Sequence, residues 1–286
     1  MRDARRRLTA AASLGVAREH MDALRAVCAR HLIGESRRSA AHRAMASVKT
    51  TASGARAPSA AMRDIIAALD AITIDDLKLG ATTSTSTWNG GGGGGGGGGA
   101  RLAPPYAADD AVQYLRIHAC EDYTIGAFLF GKRGEIPLHN HPGMTVCSRV
   151  IYGETRVTAY DFVDGEPKLS VADAKLGRCV PQRARLVCDE IVRGGEGSAT
   201  RVLYPDGGGN VHRLSAVTAC AVLDVQSPPY AVGRGRDCHY FELVDDSGSD
   251  DDVPEEGDES SKERAAWLRE TLPPLDFSID RIYPVE

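Results

Sequence analysis

The sequence predicts an all-β domain, a barrel or sandwich, with helices before it and one short helix after it. Two observations carry this prediction: short apolar segments recur at close spacing after residue 105, and Gly, Pro and Asp separate them. Short strands at such spacing are typical of all-β folds. The segments are Val112–His118, Tyr123–Phe130, Thr145–Tyr152, Arg156–Phe162, Lys168–Ala172, Ala184–Cys188, Ala199–Tyr204, Val211–Leu214 and Ala219–Val225.

Residues 1–60 form a basic N-terminal extension with twelve Lys/Arg against four Asp/Glu, although the whole chain of 286 residues has a net charge of −5. Apolar residues at helical spacing between Val16 and Ile33 predict one helix there. We interpret the charge as that of a solvated tail, with an anionic partner or an organelle transit peptide as alternatives. The sequence shows neither a secretory signal nor an apolar run of the roughly 18–20 residues that a transmembrane helix needs.

Residues 61–81 predict a second helical segment, which packs on the barrel. Met62, Ile65 and Leu69 share one helical face. Residues 82–104 are rich in Ser, Thr and Gly and include ten consecutive glycines, Gly90–Gly99. Such a composition buries too little apolar surface to become ordered, so it predicts a flexible linker.

Residues 105–286 predict the barrel domain itself. Within it, residues 245–261 are strongly acidic and predict a disordered surface loop. Lys262–Glu270 predicts the short C-terminal helix, which Pro273 and Pro274 would end.

The cysteines are scattered and include no Cys-x-x-Cys pair, which argues against a zinc ribbon and against a disulfide scaffold. A reducing, intracellular compartment is the simplest interpretation. The seven residues are Cys28, Cys120, Cys147, Cys179, Cys188, Cys220 and Cys238.

His139-Asn140-His141 has the spacing of a metal-ligand pair, because alternate side chains of a strand share one face. A third histidine, His212, follows a Pro- and Gly-rich turn far along the chain. A histidine pair on one strand and a distant third after a glycine turn is the arrangement of the cupin metal site. The fold prediction therefore narrows to a cupin barrel, that is, a double-stranded β-helix. Imidazoles alone leave Zn, Fe, Cu and Ni as candidate metals.

The usual cupin pattern has a glutamate four or five residues beyond the second histidine, and here Thr145 and Val146 occupy those positions. Three neutral imidazole ligands would leave Fe(II) with its full 2+ charge and with open coordination positions on one side. Such a centre favours a substrate that brings its own anion, such as a thiolate, beside O2. A zinc ion would instead favour hydrolysis or a structural role.

Ile136–Val146 resembles the signature of the plant cysteine oxidases and of their animal relative, cysteamine (2-aminoethanethiol) dioxygenase. The resemblance implies that His139, His141 and His212 bind Fe(II). It continues through Tyr152-Gly153, Tyr160-Asp161, Leu203–Pro205, Gly208–His212, Ala221–Val225, Pro228–Tyr230 and Arg236–Tyr240.

The same resemblance implies roles for four further residues. Asp224 would hold the substrate amine or a nearby polar network, while Tyr230 and Cys238 would belong to the surroundings of the site. Cys238 and Tyr240 have the Cys-x-Tyr spacing associated with a thioether crosslink in the animal relative. Ordinary packing is the alternative role for each of the four.

The implied reaction adds both atoms of O2 to the sulfur of an N-terminal cysteine of a protein and gives cysteine sulfinic acid. In the family this is the oxygen-sensing step of the Cys N-degron pathway in hypoxia. The expected partners are O2 and N-terminal Cys peptides or small aminothiols, with no nucleic acid and no membrane. We expect a monomer in the cytoplasm and also in the nucleus. The alternatives are a dioxygenase of cysteamine or free cysteine, and a non-catalytic metal-binding cupin that serves as an interaction module.

Overall fold

The computed structural model describes residues 19–33, 58–77, 108–165, 167, 170–244 and 265–282. The predicted flexible linker 82–104 and acidic loop 245–261 lie outside the described residues, as does most of the basic extension. All seven cysteines are described, and none of them forms a disulfide. No described helix is long and apolar enough to cross a membrane.

Two helices precede the strands, as predicted. Helix α1 spans residues 19–32, and helix α2 spans Ala60–Asp70. Helix α2 begins after Ser59, whose side-chain oxygen accepts a hydrogen bond from the backbone N–H of Met62 at 3.1 Å. A 3₁₀ turn, Ile74–Leu77, follows it.

Twelve strands and one more short helix, α3 (Val171–Lys175), make up the rest of the described chain. The strands are β1 (Val112–Ala119), β2 (Thr124–Phe130), β3 (Glu135–His139), β4 (Thr145–Tyr152), β5 (Glu154–Phe162), β6 (Gln182–Arg193), β7 (Arg201–Leu203), β8 (Val211–Ala216), β9 (Cys220–Ser227), β10 (Tyr240–Val244), β11 (Ala265–Thr271) and β12 (Ile279–Ile282).

The strands form two facing sheets, which confirms the predicted all-β cupin barrel. The first sheet has the order β12-β1-β2-β9-β4-β7, and the second closes on itself in the order β10-β11-β6-β5-β8-β3. Apolar side chains from both sheets meet in one core between them, including Phe130 and Val222 from the first sheet and Val157 and Leu214 from the second. The candidate site described below lies between the same two sheets.

The outer face of the first sheet is covered by the two helices. Leu24 of α1 and Leu69 of α2 are fully buried in a cluster with Leu129 of β2 and Leu223 of β9. Strand β9 is therefore covered on both faces, and all of its residues except Ser227 are buried. This explains why β9 is apolar from Cys220 to Leu223, and it makes the buried Asp224 and Gln226 exceptions.

Arg149 of β4 fastens the end of helix α2 to the sheet. Its buried guanidinium donates hydrogen bonds to the carbonyl oxygens of Leu69 and Ile72 and lies 3.6 Å from the carboxylate of Asp70. The last carbonyls of a helix have no partner within the helix, so a buried cation at this end satisfies them.

Two local predictions were wrong. The predicted C-terminal helix Lys262–Glu270 is, over its described part, strand β11. Its Ala, Leu and Arg residues favour a helix locally, but β10 and β6 both offer open edges, and pairing with both closes the ring. The predicted strand Lys168–Ala172 ends instead in helix α3, because Ser170 caps the backbone N–H of Asp173 at 3.2 Å.

Candidate metal centre

The structure brings the three predicted ligand histidines together. His139 is the last residue of β3, His141 lies in the turn just after it, and His212 is the second residue of β8. Strands β3 and β8 are antiparallel, and His139 and His212 are register partners. All three side chains are buried, and one ring nitrogen of each lies within 4.8 Å of the others. These three side chains would hold a metal ion if one were bound.

A hydrogen bond fixes the tautomer of His139. Its Nδ1 lies 2.8 Å from the carbonyl oxygen of Pro137. A carbonyl oxygen can only accept, so the proton sits on Nδ1 and the lone pair is on Nε2. A ligand histidine typically has its other ring nitrogen tied to a carbonyl in this way.

Tyr230 does the same for His141. The Tyr230 hydroxyl donates to the carbonyl oxygen of Asn140 at 2.7 Å and lies 2.8 Å from Nδ1 of His141. Because the hydroxyl proton is engaged with Asn140, the ring Nδ1–H of His141 donates to the hydroxyl oxygen. Nε2 of His141 is then left with a lone pair, and it has no hydrogen-bond partner among the described residues.

The three imidazoles are neutral near pH 7. Burial lowers the pKa of His139 to about 4, and burial together with the neighbouring rings lowers the pKa of His141 well below its ordinary value. The pKa of His212 is lowered in the same way, and its Nδ1 also has no partner in the described part of the chain. Buried polar atoms without partners are costly, so inward-facing neutral nitrogens fit a metal ion.

No carboxylate joins this set among the residues that the structure describes, since the only cluster with metal-ligating geometry there is His139, His141 and His212. The prediction from Thr145 and Val146 therefore agrees with the geometry. A shell of three neutral nitrogens suits Fe, Zn, Cu or Ni and leaves the ion its full positive charge.

Asn210 ties the two ligand-bearing segments together, and the sequence prediction did not assign it a role. Its side-chain oxygen accepts from the backbone N–H of His141 at 2.9 Å, and its amide donates to the carbonyl oxygens of His141 and Tyr204, both at 3.0 Å. Asn210 stands two residues before His212, so one side chain sets the position of both ligands. The sequence did contain one signal for this role, because Asn210 lies inside Gly208–His212, one of the segments that resemble the family.

Asp161 holds the turn that leads to His212, and it was also missed as a site residue. Its carboxylate accepts three consecutive backbone N–H groups, from Gly208 at 3.0 Å, Gly209 at 2.8 Å and Asn210 at 3.1 Å. A Cβ on Gly209 would lie 2.7 Å from Cβ of Ala159, and its φ is +84°. Only glycine fits this close approach and this backbone conformation.

Asp224 lies on the opposite sheet, where it pairs in register with Gly126 and Ser148, and Ser148 lines a cavity that His212 also lines. Burial raises its pKa to about 6, although hydrogen bonds from Ser148 and Gln226 oppose that rise. Its Oδ1 has no partner among the described residues.

Cys238 lies between two tyrosines beside the histidines. Its thiol is in hydrogen-bond contact with the hydroxyls of Tyr230 and Tyr240, and burial raises the pKa of this thiol to about 11. Tyr240 is the register partner of His139, and burial also raises the pKa of its hydroxyl. Tyr230 and Tyr240 thus lie beside His141 and His139, and Cys238 contacts both tyrosines.

His239, which the sequence left outside the metal site, anchors this side of the centre. Its backbone exchanges two hydrogen bonds with Asn140, one of them to the Asn140 side chain at 3.0 Å. Its ring Nδ1 lies 2.6 Å from the buried carboxylate of Glu270 on β11. Because Asn140 stands between two ligands, strand β11 contributes to their position.

The PCO_ADO family model matches residues 68–284 of the chain. Plant cysteine oxidase 1 of Arabidopsis thaliana is 41% identical over 174 residues, which cover 60% of this chain and 53% of the relative. The 2-aminoethanethiol dioxygenase of Mus musculus is 33% identical over 186 residues, 58% of this chain and 66% of the relative. The chain thus matches about half the length of the plant relative. An RmlC-like cupin protein of Desulfovibrio desulfuricans aligns over 47% of this chain and 99% of its own, with 18% identity and a TM-score of 0.30.

Proposed function

The chain belongs to the PCO_ADO family, and we propose on this basis that it is an Fe(II)-dependent dioxygenase of N-terminal cysteines. The proposed reaction adds both atoms of O2 to the cysteine sulfur and gives a sulfinic acid. The observation that carries the proposal is the buried set of three neutral imidazoles without a carboxylate.

Iron is the proposed metal, and His139, His141 and His212 would hold it. Iron at this set would supply the redox chemistry that O2 requires and a positive charge that favours the thiolate form of the substrate. Zinc would offer the charge without the redox chemistry.

The residues on the opposite sheet would orient the substrate. An N-terminal cysteine carries a free amine next to its thiol, and the unpartnered Oδ1 of Asp224 can accept a hydrogen bond from an ammonium group. Pairing with that cation would offset the cost of keeping Asp224 ionised in a buried place. Tyr230 would keep the ring of His141 in its tautomer, and Cys238 would hold the Tyr230 and Tyr240 hydroxyls in place.

We propose N-terminal cysteine rather than cysteamine as the main substrate. The support is that identity is higher to the protein named plant cysteine oxidase 1, at 41%, than to the protein named 2-aminoethanethiol dioxygenase, at 33%. With this substrate goes a role in oxygen sensing through the Cys N-degron pathway, in the cytoplasm and nucleus.

The test is a peptide oxidation assay with the full chain loaded with Fe(II). A peptide that begins with Cys should gain two oxygen atoms, both labelled when ¹⁸O₂ is supplied, and should react faster than cysteamine or free cysteine. The same peptide with an acetylated N-terminus should react poorly, since it cannot offer an ammonium group. The variant His212→Ala should lose both iron and turnover while keeping the circular dichroism of a folded barrel.

Three outcomes would count against the proposal in different ways. Faster turnover of cysteamine or cysteine would favour a small-thiol dioxygenase. No turnover of any of the three thiols by iron-loaded protein would contradict a thiol dioxygenase. Zinc retained in place of iron, with no oxidation, would favour a non-catalytic cupin.

A further inference from the structure

A small cavity borders the metal centre in the core between the sheets. His212 lines it, together with the apolar Val150, Val157, Leu214 and Val222. These four residues also belong to the apolar core that both sheets share. We call this space the His212 cavity.

Part of the lining of the His212 cavity lies near the surface. Its lining there includes the exposed Ala199 and the half-buried Val192 and Arg201. The Arg201 guanidinium is bonded to Glu190 and, at 3.0 Å, to the Cys188 sulfur. The positive charge of Arg201 is therefore already paired with Glu190.

The cavity lining is mostly apolar, and Ser148, which hydrogen-bonds to Asp224, connects it to the polar side of the site. Eight of its twelve lining residues are Val, Leu or Ala, and none of Asp224, Tyr230, Cys238 and Tyr240 is among them. A charged aminothiol would lose its hydration there without gaining a partner, so the cavity excludes that substrate.

The size and polarity of the cavity select a small apolar molecule. The cavity volume is about 30 Å³. One water needs about 10–15 Å³ of such space and also two to four polar partners. Molecular oxygen needs space but no hydrogen bond. An aliphatic cavity therefore holds O2 at lower cost than it holds water.

We propose that the His212 cavity is the holding site for O2, with Val192 on its surface side. This inference rests on the proposed dioxygenase function and adds a holding site for the gas beside His212. Val192 of β6 is half-buried and packs on the margin of the core, so a larger side chain there would narrow the cavity from its surface side.

The test combines xenon binding with oxygen kinetics on the full, iron-loaded chain. Xenon occupies apolar cavities, so crystals under xenon pressure should show it in the His212 cavity of the wild type and not in Val192→Phe. The same variant should raise the KM for O2 by at least about five-fold, with kcat at saturating O2 and the KM for the thiol unchanged. Ile191→Phe is the matched control, since Ile191 is the neighbouring residue of β6, is 53% exposed and does not line the cavity.

The outcomes separate this inference from the proposed function. Absence of xenon from the wild-type cavity would overturn the inference, as would a Val192→Phe variant that excludes xenon but keeps the wild-type KM for O2. Xenon in the cavity of a wild-type protein that oxidises no thiol would instead contradict the proposed function, and the assignment of the gas as O2 would fail with it.

Discussion

Replacing Asp224 by Asn should make the metal-free protein more stable at pH 7, although it removes a predicted site residue. Burial raises the pKa of Asp224 from its ordinary 3.8 to about 6. One pKa unit corresponds to about 1.4 kcal/mol, so the ionised carboxylate costs the folded state about 3 kcal/mol at pH 7. Asn keeps the shape and stays neutral, so Asp224→Asn should raise the free energy of unfolding by up to that amount.

The pH dependence gives the sign of the effect. Between pH 3.8 and about 6 the folded state binds more protons at Asp224 than the unfolded state does. The contribution of this residue to stability is therefore present below pH 3.8 and is lost as the pH rises through about 6. The gain from Asp224→Asn should be large at pH 7 and small at pH 4.

The assay is urea denaturation of the metal-free wild type and Asp224→Asn at pH 4, 5, 6 and 7. Metal is left out because a bound cation would itself shift the pKa of a nearby carboxylate. With iron restored, the variant should bind the thiol more weakly, because the ammonium group loses its anionic partner. A variant less stable than the wild type at pH 7, or one whose gain is the same at pH 4 and pH 7, would refute the reasoning.

Three further predictions follow from contacts around the site. Asp161→Asn places an amide donor against the backbone N–H groups of Gly208–Asn210, so Co(II) affinity measured by absorption titration should fall about 10–100-fold. The control is Asp189→Asn, which alters an exposed pair with Arg156. If the two variants bind Co(II) with affinities within two-fold of each other, the role assigned to Asp161 is contradicted. Arg149→Leu leaves the carbonyls at the end of α2 without their cation, so urea denaturation should show a loss of about 2–4 kcal/mol, and a loss under about 1 kcal/mol would show that Arg149 does not hold the helix in place. Adding Co(II) to 100 times its Kd should stabilise the wild type by about 2.7 kcal/mol, seen as a higher Tm, and an equal rise in His212→Ala would place the metal elsewhere.

The features that the sequence predicted best are those encoded in short segments. The strand pattern, the His139 and His141 pair and the missing glutamate at Thr145 and Val146 can all be read locally. The prediction that His212 joins this pair rested on its position after a glycine turn, and in the structure the three side chains lie together.

The features that the sequence did not predict depend on distant partners. Strand β11 forms where local propensity favours a helix, because β10 and β6 need a strand between them. The roles of Asn210 and Asp161 depend on hydrogen bonds to backbone atoms, which carry no sequence signal of their own. The His212 cavity is a gap between side chains from several strands, and no single segment of the chain encodes it.

The helices that cover the first sheet constrain how the gene can vary. Helix α2 and the 3₁₀ turn bury apolar residues against β2 and β9, so a chain shortened to begin at residue 108 would expose that face to water and aggregate. The 30 residues between Leu77 and Ala108 include residues 82–104, which the sequence predicts to be a flexible linker. Doubling the length of such a linker would cost only about 0.6 kcal/mol. Replication errors that add or remove glycines in this tract should therefore be almost neutral for folding, whereas a deletion that reached Leu69 should not be.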